Sequence, residues 1–345
     1  MTVVMPGLGQ PAEPDPDPGH ADVRRAPRGG IEPVDRVFHV TLRGSGALVL
    51  LIMLLVGLFL TYRAFQALSV AKWSFLTTSV WEPDSRHFGI AAVLTGTVLI
   101  GVVAICIALP LALGTALYIS EYAPRRLKQT LISLVDLMAA VPSVVFGLWG
   151  AFFLQGQVVG VSRWIATYFS WIPVFKVDGA DPHDPLQSAT VYTSSTFIAG
   201  IVVALMVTPI ACSVMRETFS QAPAGEREGA LALGATRWGA TRAVVLPYGL
   251  GGVIGGTMLG LGRALGETIA VYMIISPVFA VQPHILQNGA NSVSALIALR
   301  YGSASDFGMS ALMAAGLALF LMTLVVNFIA SSIAARGRSG AGTEA

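Results

Sequence analysis

Two charges stand inside an otherwise uncharged apolar run. Residues 248–276 read YGLGGVIGGTMLGLGRALGETIAVYMIIS, and the charges are Arg263 and Glu267. An ionisable side chain at the centre of a membrane span costs about 2.5–3.5 kcal/mol on insertion scales, so its default reading is a pathway or a binding site. Four residues apart on a continuous helix, the two share one face. That face can line a route for a small anion. A guanidinium suits an oxyanion because its planar fork donates two hydrogen bonds to one group and stays charged when buried. Glu267 has two roles open to it. It can neutralise Arg263 while the route is empty, or it can take a proton from a protonated oxyanion. The competing reading is an ion pair that only locks two helices together.

The elements that must hold these charges are membrane helices. The chain of 345 residues is 54% hydrophobic and only 12% charged, against about 25% charged in a soluble chain. Six stretches are long and apolar enough to span, at about 20 residues each: 45–65, 90–119, 131–154, 196–215, 249–276 and 308–333. Pro110 and Pro142 fall inside two of them and predict kinks. With the N-terminus in the cytosol, fourteen Lys and Arg residues lie on the cytosolic side and six on the outer side, with Arg263 in the membrane. That is a positive-inside bias, and it puts both termini in the cytosol. The fold class expected is an all-α membrane protein of six helices.

Residues 1–36 hold seven of the nineteen prolines and read as a disordered cytosolic tail rather than a secretory signal. The membrane domain then covers 37–345. The outer loop at 155–195 carries Trp164, Tyr168, Trp171 and Tyr192, aromatics suited to a membrane–water interface, and a short interfacial helix is expected around 158–171. The inner loop at 216–248 reads as helical but is too polar to insert. A connector needs only a few residues, so this loop reads as a docking element.

Several tempting features carry bland readings. Gly251/Gly255, Gly252/Gly256, Gly256/Gly260 and Gly262/Gly266 are pairs of small residues that permit close helix packing. They are not a phosphate loop: no Gly-Lys-Ser/Thr follows, so the chain has no ATPase motif of its own. Cys106 and Cys212 read as small core residues, and the five scattered histidines suggest no metal site. No cofactor is expected. Asp136 reads chiefly as a charge favouring a helix N-terminus. Ser143 reads as bonding back to its own helix, and Thr95, Thr97 and Thr268 as hydrogen-bonding between helices.

The inner loop carries a spaced motif: Glu228, Gly229 and Ala230, three residues, Gly234, nine residues, then Val244, Val245, Leu246 and Pro247. It resembles the EAA signature of ABC importer permeases, with Gly229 in place of alanine and Val244 in place of isoleucine. In that family the loop docks on the ATP-binding subunit. Glycine and alanine let two helices approach, Glu228 suits a helix N-terminus, and Pro247 is expected to end one element before the next span. ISEYAPRRLKQTLISLVDLMAAVPSVVFGLWG at 119–150 and GLGRALGETIAV at 260–271 are similar to permeases of the phosphate-specific transport (Pst) family, closest to its C subunit. The likeness covers about 45–335.

The resemblance implies a type I ABC importer permease in a bacterial plasma or inner membrane, doing no covalent chemistry itself. It implies Arg263 and Glu267 on the path of inorganic phosphate. It also implies three kinds of partner: a paralogous permease (PstA-like), a pair of ATP-binding subunits (PstB-like) and an extracytoplasmic phosphate-binding protein (PstS-like). No nucleic acid is expected among them. Two rivals stand beside it. A sulfate or molybdate permease shares the coupling signature, and a proton-coupled secondary anion transporter uses Glu267 as its proton carrier but leaves the inner loop without a purpose.

Overall fold

Proline and glycine set several of the helix boundaries in this chain, Pro142 and Gly234 among them. The computed structural model describes residues 33–339, apart from 180, 182, 183, 185 and 186. The expected tail at 1–36 therefore lies almost wholly outside the described residues, and its last four residues open the first long helix, Pro33–Ala71. Through Leu54 every described side chain of that helix is exposed.

Among the described residues six helices are long and apolar enough to cross a membrane: Arg36–Ala71, Ala91–Tyr122, Ser143–Phe169, Thr196–Ser220, Arg237–Gly266 and Asp306–Ile329. The number matches the sequence reading, but two boundaries do not. The third run was expected at 131–154. Proline lacks an N–H and forces its predecessor out of the helical region. Val141 accordingly sits at φ −66°, ψ 128°, and the run divides. An amphipathic helix, Arg125–Ala140, ends there, and the true span starts at Ser143. The span passes through a π-turn at Gly150–Leu154 without breaking and runs on through Gln155–Phe169. The interfacial helix expected around 158–171 is thus the far end of the third span.

The fifth run, expected at 249–276, also divides. Its main helix ends at Gly266, Glu267 is extended at φ −66°, ψ 126°, and a short helix follows at Ile269–Ile274. At its other end the span is longer than expected. Arg237–Ala240 continues through a π-turn at Thr241–Val245 into Leu246–Gly266. Pro247 therefore does not end an element. The Leu246 N–H reaches back to the Thr241 carbonyl, so the proline sits in the first turn of the resumed helix, where its missing N–H is harmless.

The second, fourth and fifth spans make the core through small side chains. Ala104, Ala108, Ala112 and Ala116 recur every four residues on the second span, and all are buried. On the fifth span Gly252, Gly256 and Gly260 face the fourth. A Cβ on Gly256 would lie 2.9 Å from the Ala211 carbonyl oxygen, which backbone cannot yield. Of the small pairs read from the sequence, Gly252/Gly256 and Gly256/Gly260 are the packing pairs. Gly255 and Gly266 face open space and take no part in that packing. Cys212 is buried as expected, whereas Cys106 is exposed. Between the first and second spans a hairpin of two short strands, Trp81–Glu82 and His87–Phe88, pairs Trp81 with Phe88, and Phe88 packs edge-on against Phe75 and Phe307 at 6.0 and 5.6 Å.

Candidate functional site

Arg263 lies on the face of the fifth span that the glycines leave free. Gly255, Leu259, Arg263 and Gly266 form an exposed stripe at helical spacing, about 100° around the helix from the buried line of Gly252, Gly256, Gly260 and Ala264. Beside Arg263 opens a cleft of about 460 Å³, bounded by Ile210 of the fourth span, Met258, Leu259 and Gly262 of the fifth, and Asn327 and Ser331 of the last helix. Asn327 and Ser331 bring an amide and a hydroxyl to the cleft that holds the guanidinium. The sequence reading did not single them out, although an asparagine within an apolar run was the available signal. Among the described residues Arg263 forms no ion pair within 4.0 Å.

Glu267 is not on the helix of Arg263, because the helix ends one residue before it. The expectation that four residues of spacing puts both on one face fails for that reason. The Glu267 Oε1 instead accepts from the Ala270 N–H at 3.4 Å, capping the short helix beyond the break, where an acidic group meets the positive end of the peptide dipoles. The Glu267 carbonyl, freed by the break, accepts from the Ser294 Oγ at 2.7 Å. Ser294 opens the helix Val293–Arg300, whose N-cap is Ser292. That helix is tied to the second span in turn: the Val293 N–H donates to the Thr97 Oγ1 at 3.0 Å. Thr97 is thus a helix-to-helix bridge as expected. Thr95 and Thr268 are not; they donate to carbonyls of their own segments, Ala91 and Gly266, which lie within immediate reach.

The two stretches 119–150 and 260–271 meet at this break. A Cβ on Gly147 would lie 2.9 Å from the Ala270 Cα, and one on Gly150 would strike Ile274 and Val202. The third span therefore packs backbone-close against the short helix that Glu267 caps. Ser143, at the start of that span, makes no hydrogen bond among the described residues, so the expected bond back to its own helix is absent. Asp136 is not at a helix N-terminus. It lies in the second half of Arg125–Ala140 and accepts from the Ser213 Oγ at 3.2 Å.

The loop between the fourth and fifth spans folds as a helix, Ala224–Ala232, a glycine turn, and the start of the next helix at Arg237. The spacing of Ala230 and Gly234 now has a physical cause. The Ala235 N–H bonds to the Ala230 carbonyl and the Gly234 N–H to the Leu231 carbonyl, with Gly234 at φ +88°. This pairing is a Schellman C-cap, which wants glycine in the left-handed region. Thr236 then caps the next helix, accepting from the Gly239 N–H at 3.1 Å. Glu228 sits mid-helix, so the helix N-terminus is served by Glu226 instead. Glu228 and Gly229 are exposed, and Leu231, Leu233 and Trp238 are 47%, 91% and 54% exposed. Such apolar exposure on a polar loop marks a contact surface.

Comparison with known proteins fixes the class. Residues 108–338 match the family model described as the binding-protein-dependent transport system inner membrane component. The chain belongs to this family of membrane permeases. The permease is 37% identical over 320 residues to the phosphate transport system permease protein PstC 2 of Mycobacterium tuberculosis, covering 91% of this chain and 94% of that one. It is 36% identical to PstC of Mesorhizobium japonicum, covering 89% and 92%. It is 35% identical to the probable PstC of Methanocaldococcus jannaschii, covering 87% and 93%. Among solved structures it is similar to the inward-facing MetNI methionine ABC transporter, with a TM-score of 0.47 at 17% identity over 72% of this chain and 94% of that chain. Membership makes the protein a transport subunit in a membrane, and it excludes the secondary-transporter reading.

Proposed function

We propose that this permease forms half of the path of an ATP-driven importer of inorganic phosphate. The observation that carries the reading is Arg263. It is a permanent charge on the free stripe of the fifth span, beside Asn327 and a break in the helix, with no counter-ion among the described residues. A broken helix near a charged side chain is where a membrane transporter exposes backbone to its cargo. The fork of Arg263 can hold two oxygens of one phosphate, and the Asn327 amide can donate to a third. Glu267, past the break and held by its bond to the Ala270 N–H, is the acidic group nearest in sequence to Arg263 and the candidate proton acceptor.

Family membership supports the rest of the assembly. A PstA-like paralogue supplies the other half of the path, facing the Gly255–Gly266 stripe. PstB-like subunits hydrolyse ATP and dock on Glu228, Gly229, Ala230, Gly234 and the exposed Leu231 and Leu233. Leu246 and Pro247 close the signature at the root of the fifth span. A PstS-like protein delivers the anion from outside, and the arginine distribution puts both termini and the docking loop in the cytosol. Phosphate is favoured over sulfate or molybdate because the named relatives transport phosphate.

Uptake of labelled phosphate tests the reading. Arg263→Gln removes uptake while the chain still inserts and assembles, and Arg263→Lys is also impaired, since a point charge replaces a fork. Glu267→Gln is mild if Glu267 only balances charge and severe if it takes a proton. If the two residues were merely a structural pair, removing both would restore what removing one destroyed. A double variant with near wild-type uptake therefore sinks the binding role. Competition by excess sulfate or molybdate, with none by phosphate, overturns the cargo.

A further inference from the structure

Arg227 holds three elements together, and one of them is distant in sequence. It belongs to the helix Ala224–Ala232. Its Nη2 donates at 2.6 Å to the carbonyl of Phe219, in the last turn of the fourth span. Its Nη1 lies 3.2 Å from the Oε1 of Glu121, at the end of the second span. Neither side chain is free in water: 25% of Arg227 and 14% of Glu121 is exposed. The loop helix is already joined to the fourth span by the chain, so the Glu121 contact adds a link that connectivity does not supply.

Two details give this contact a mechanical sense. Glu121 is carried on a π-turn, Tyr118–Tyr122, that ends the second span. A second π-turn, Thr241–Val245, lies near the start of the fifth span, and a third, Gly150–Leu154, lies within the third. Such turns are rare and gather at functional places. The contact is also incomplete. The Arg227 Nε and the Glu121 Oε1 are buried yet lack a hydrogen-bond partner, so the 3.2 Å approach is coulombic rather than an aligned fork. Buried pairs of this kind normally use both donors. The far end of the second span packs on the helix of Arg263. A Cβ on Gly101 would lie 2.9 Å from Leu265 and 3.6 Å from Leu261. Glu121 and Gly101 are about 30 Å apart along the helix at ~1.5 Å per residue.

We propose that Glu121 and Arg227 are the positioning pair through which movement of the docking loop reaches the second span, and with it the Arg263 helix. This rests on the reading of the loop as the dock for the ATP-binding subunits. In that role neither residue touches cargo or nucleotide, and the pair sets how much transport each hydrolysis event produces.

The test is the full four-component complex in proteoliposomes, with labelled inorganic phosphate and a measured rate of ATP hydrolysis. Glu121→Gln and Arg227→Gln should assemble, keep the affinity for phosphate-loaded binding protein, and lose at least about tenfold in phosphate moved per ATP. Arg227→Lys should fall between these and the wild type, because it keeps the charge and loses the fork. The exchange Glu121→Arg with Arg227→Glu should recover the ratio to within about threefold. Unchanged ratios in the single variants overturn the proposal, as does an exchanged pair no better than the singles. If the single variants fail to assemble, recovery of assembly and ratio by the exchange supports it, and failure to recover refutes it. Gly234→Arg separates the underlying reading. Normal assembly in that variant removes the dock itself, whereas lost assembly there with unchanged ratios in Glu121→Gln removes only the pair.

Discussion

Two glycines five residues apart in the loop between the fourth and fifth spans should respond to the same substitution with opposite signs. Gly234 is at φ +88° with nothing within 4 Å of a built Cβ. Gly234→Ala therefore meets no clash and pays only for the left-handed backbone, about 1–2 kcal/mol for a residue with a Cβ. Gly229 lies inside the helix Ala224–Ala232, also with nothing within 4 Å. Gly229→Ala removes the disorder glycine brings to a helix interior and should stabilise it by about 0.5–1 kcal/mol. If the loop must be folded to dock, Gly234→Ala should weaken capture of the ATP-binding subunit by roughly 5–30-fold, at about 1.4 kcal/mol per factor of ten. Gly229→Ala should leave capture equal or slightly tighter. Binding of the isolated ATP-binding subunit to the detergent-solubilised permease pair measures both. Hydrogen exchange at residues 230–235 reports the cap directly, since the Gly234 and Ala235 amides lose their carbonyl partners first. Equal losses in the two variants would refute the reasoning, because the backbone conformation would then not be what the glycine supplies.

Other expectations are as direct. Gly256→Val should disrupt the fourth–fifth span interface, seen as loss of the folded species by fluorescence size exclusion, because the added atoms meet the Ala211 carbonyl at 2.9 Å. Thr97→Val should cost about 1–3 kcal/mol by stranding the buried Val293 N–H, read as a lowered Tm without loss of assembly. A reporter fused after Arg336 should behave as cytosolic, and one near Asp178 as external. In the loop between the third and fourth spans a hydrogen bond from Lys176 holds the Asp178 carboxyl below its ordinary range, and the Asp178 Oδ2 lies 3.0 Å from the His284 Nε2. A depressed carboxylate stabilises the fold above its unfolded pKa and loses that contribution as pH falls through its folded pKa. Protection of the 173–178 backbone in hydrogen exchange should therefore fall on acidification below the ordinary carboxylate range, and Asp178→Asn should flatten that dependence.

The number of spans and the helical form of the loop between the fourth and fifth were legible because each rests on local sequence. Apolar length fixes a span, and the Ala230–Gly234 spacing is the spacing of a helix C-cap. The breaks were harder. Pro142 was seen as a kink within a span, but the polar composition of Arg125–Ala140 meant that it separates two elements. The break at Glu267 carries no proline and a single glycine before it. What ends the helix there is tertiary: the freed carbonyl finds the Ser294 hydroxyl, and the Gly147 backbone lies against Ala270. Asn327 went unremarked because its meaning depends on lying across a cleft from Arg263. Glu121 gave no signal in its own helix, since its partner is more than a hundred residues away.

The division of the fifth span into a packed face and an open face has a consequence for how the protein is kept in the cell. An unpartnered chain presents Arg263 outward on the Gly255–Gly266 stripe with no counter-ion among the described residues. The bilayer then charges it about 2.5–3.5 kcal/mol that a paired chain avoids. Synthesis in excess of the partner therefore yields a species disfavoured by roughly a hundredfold relative to the assembled one. Arg263 would in this way report stoichiometry, marking surplus subunits for removal by membrane proteolysis and protecting those that have found their mates.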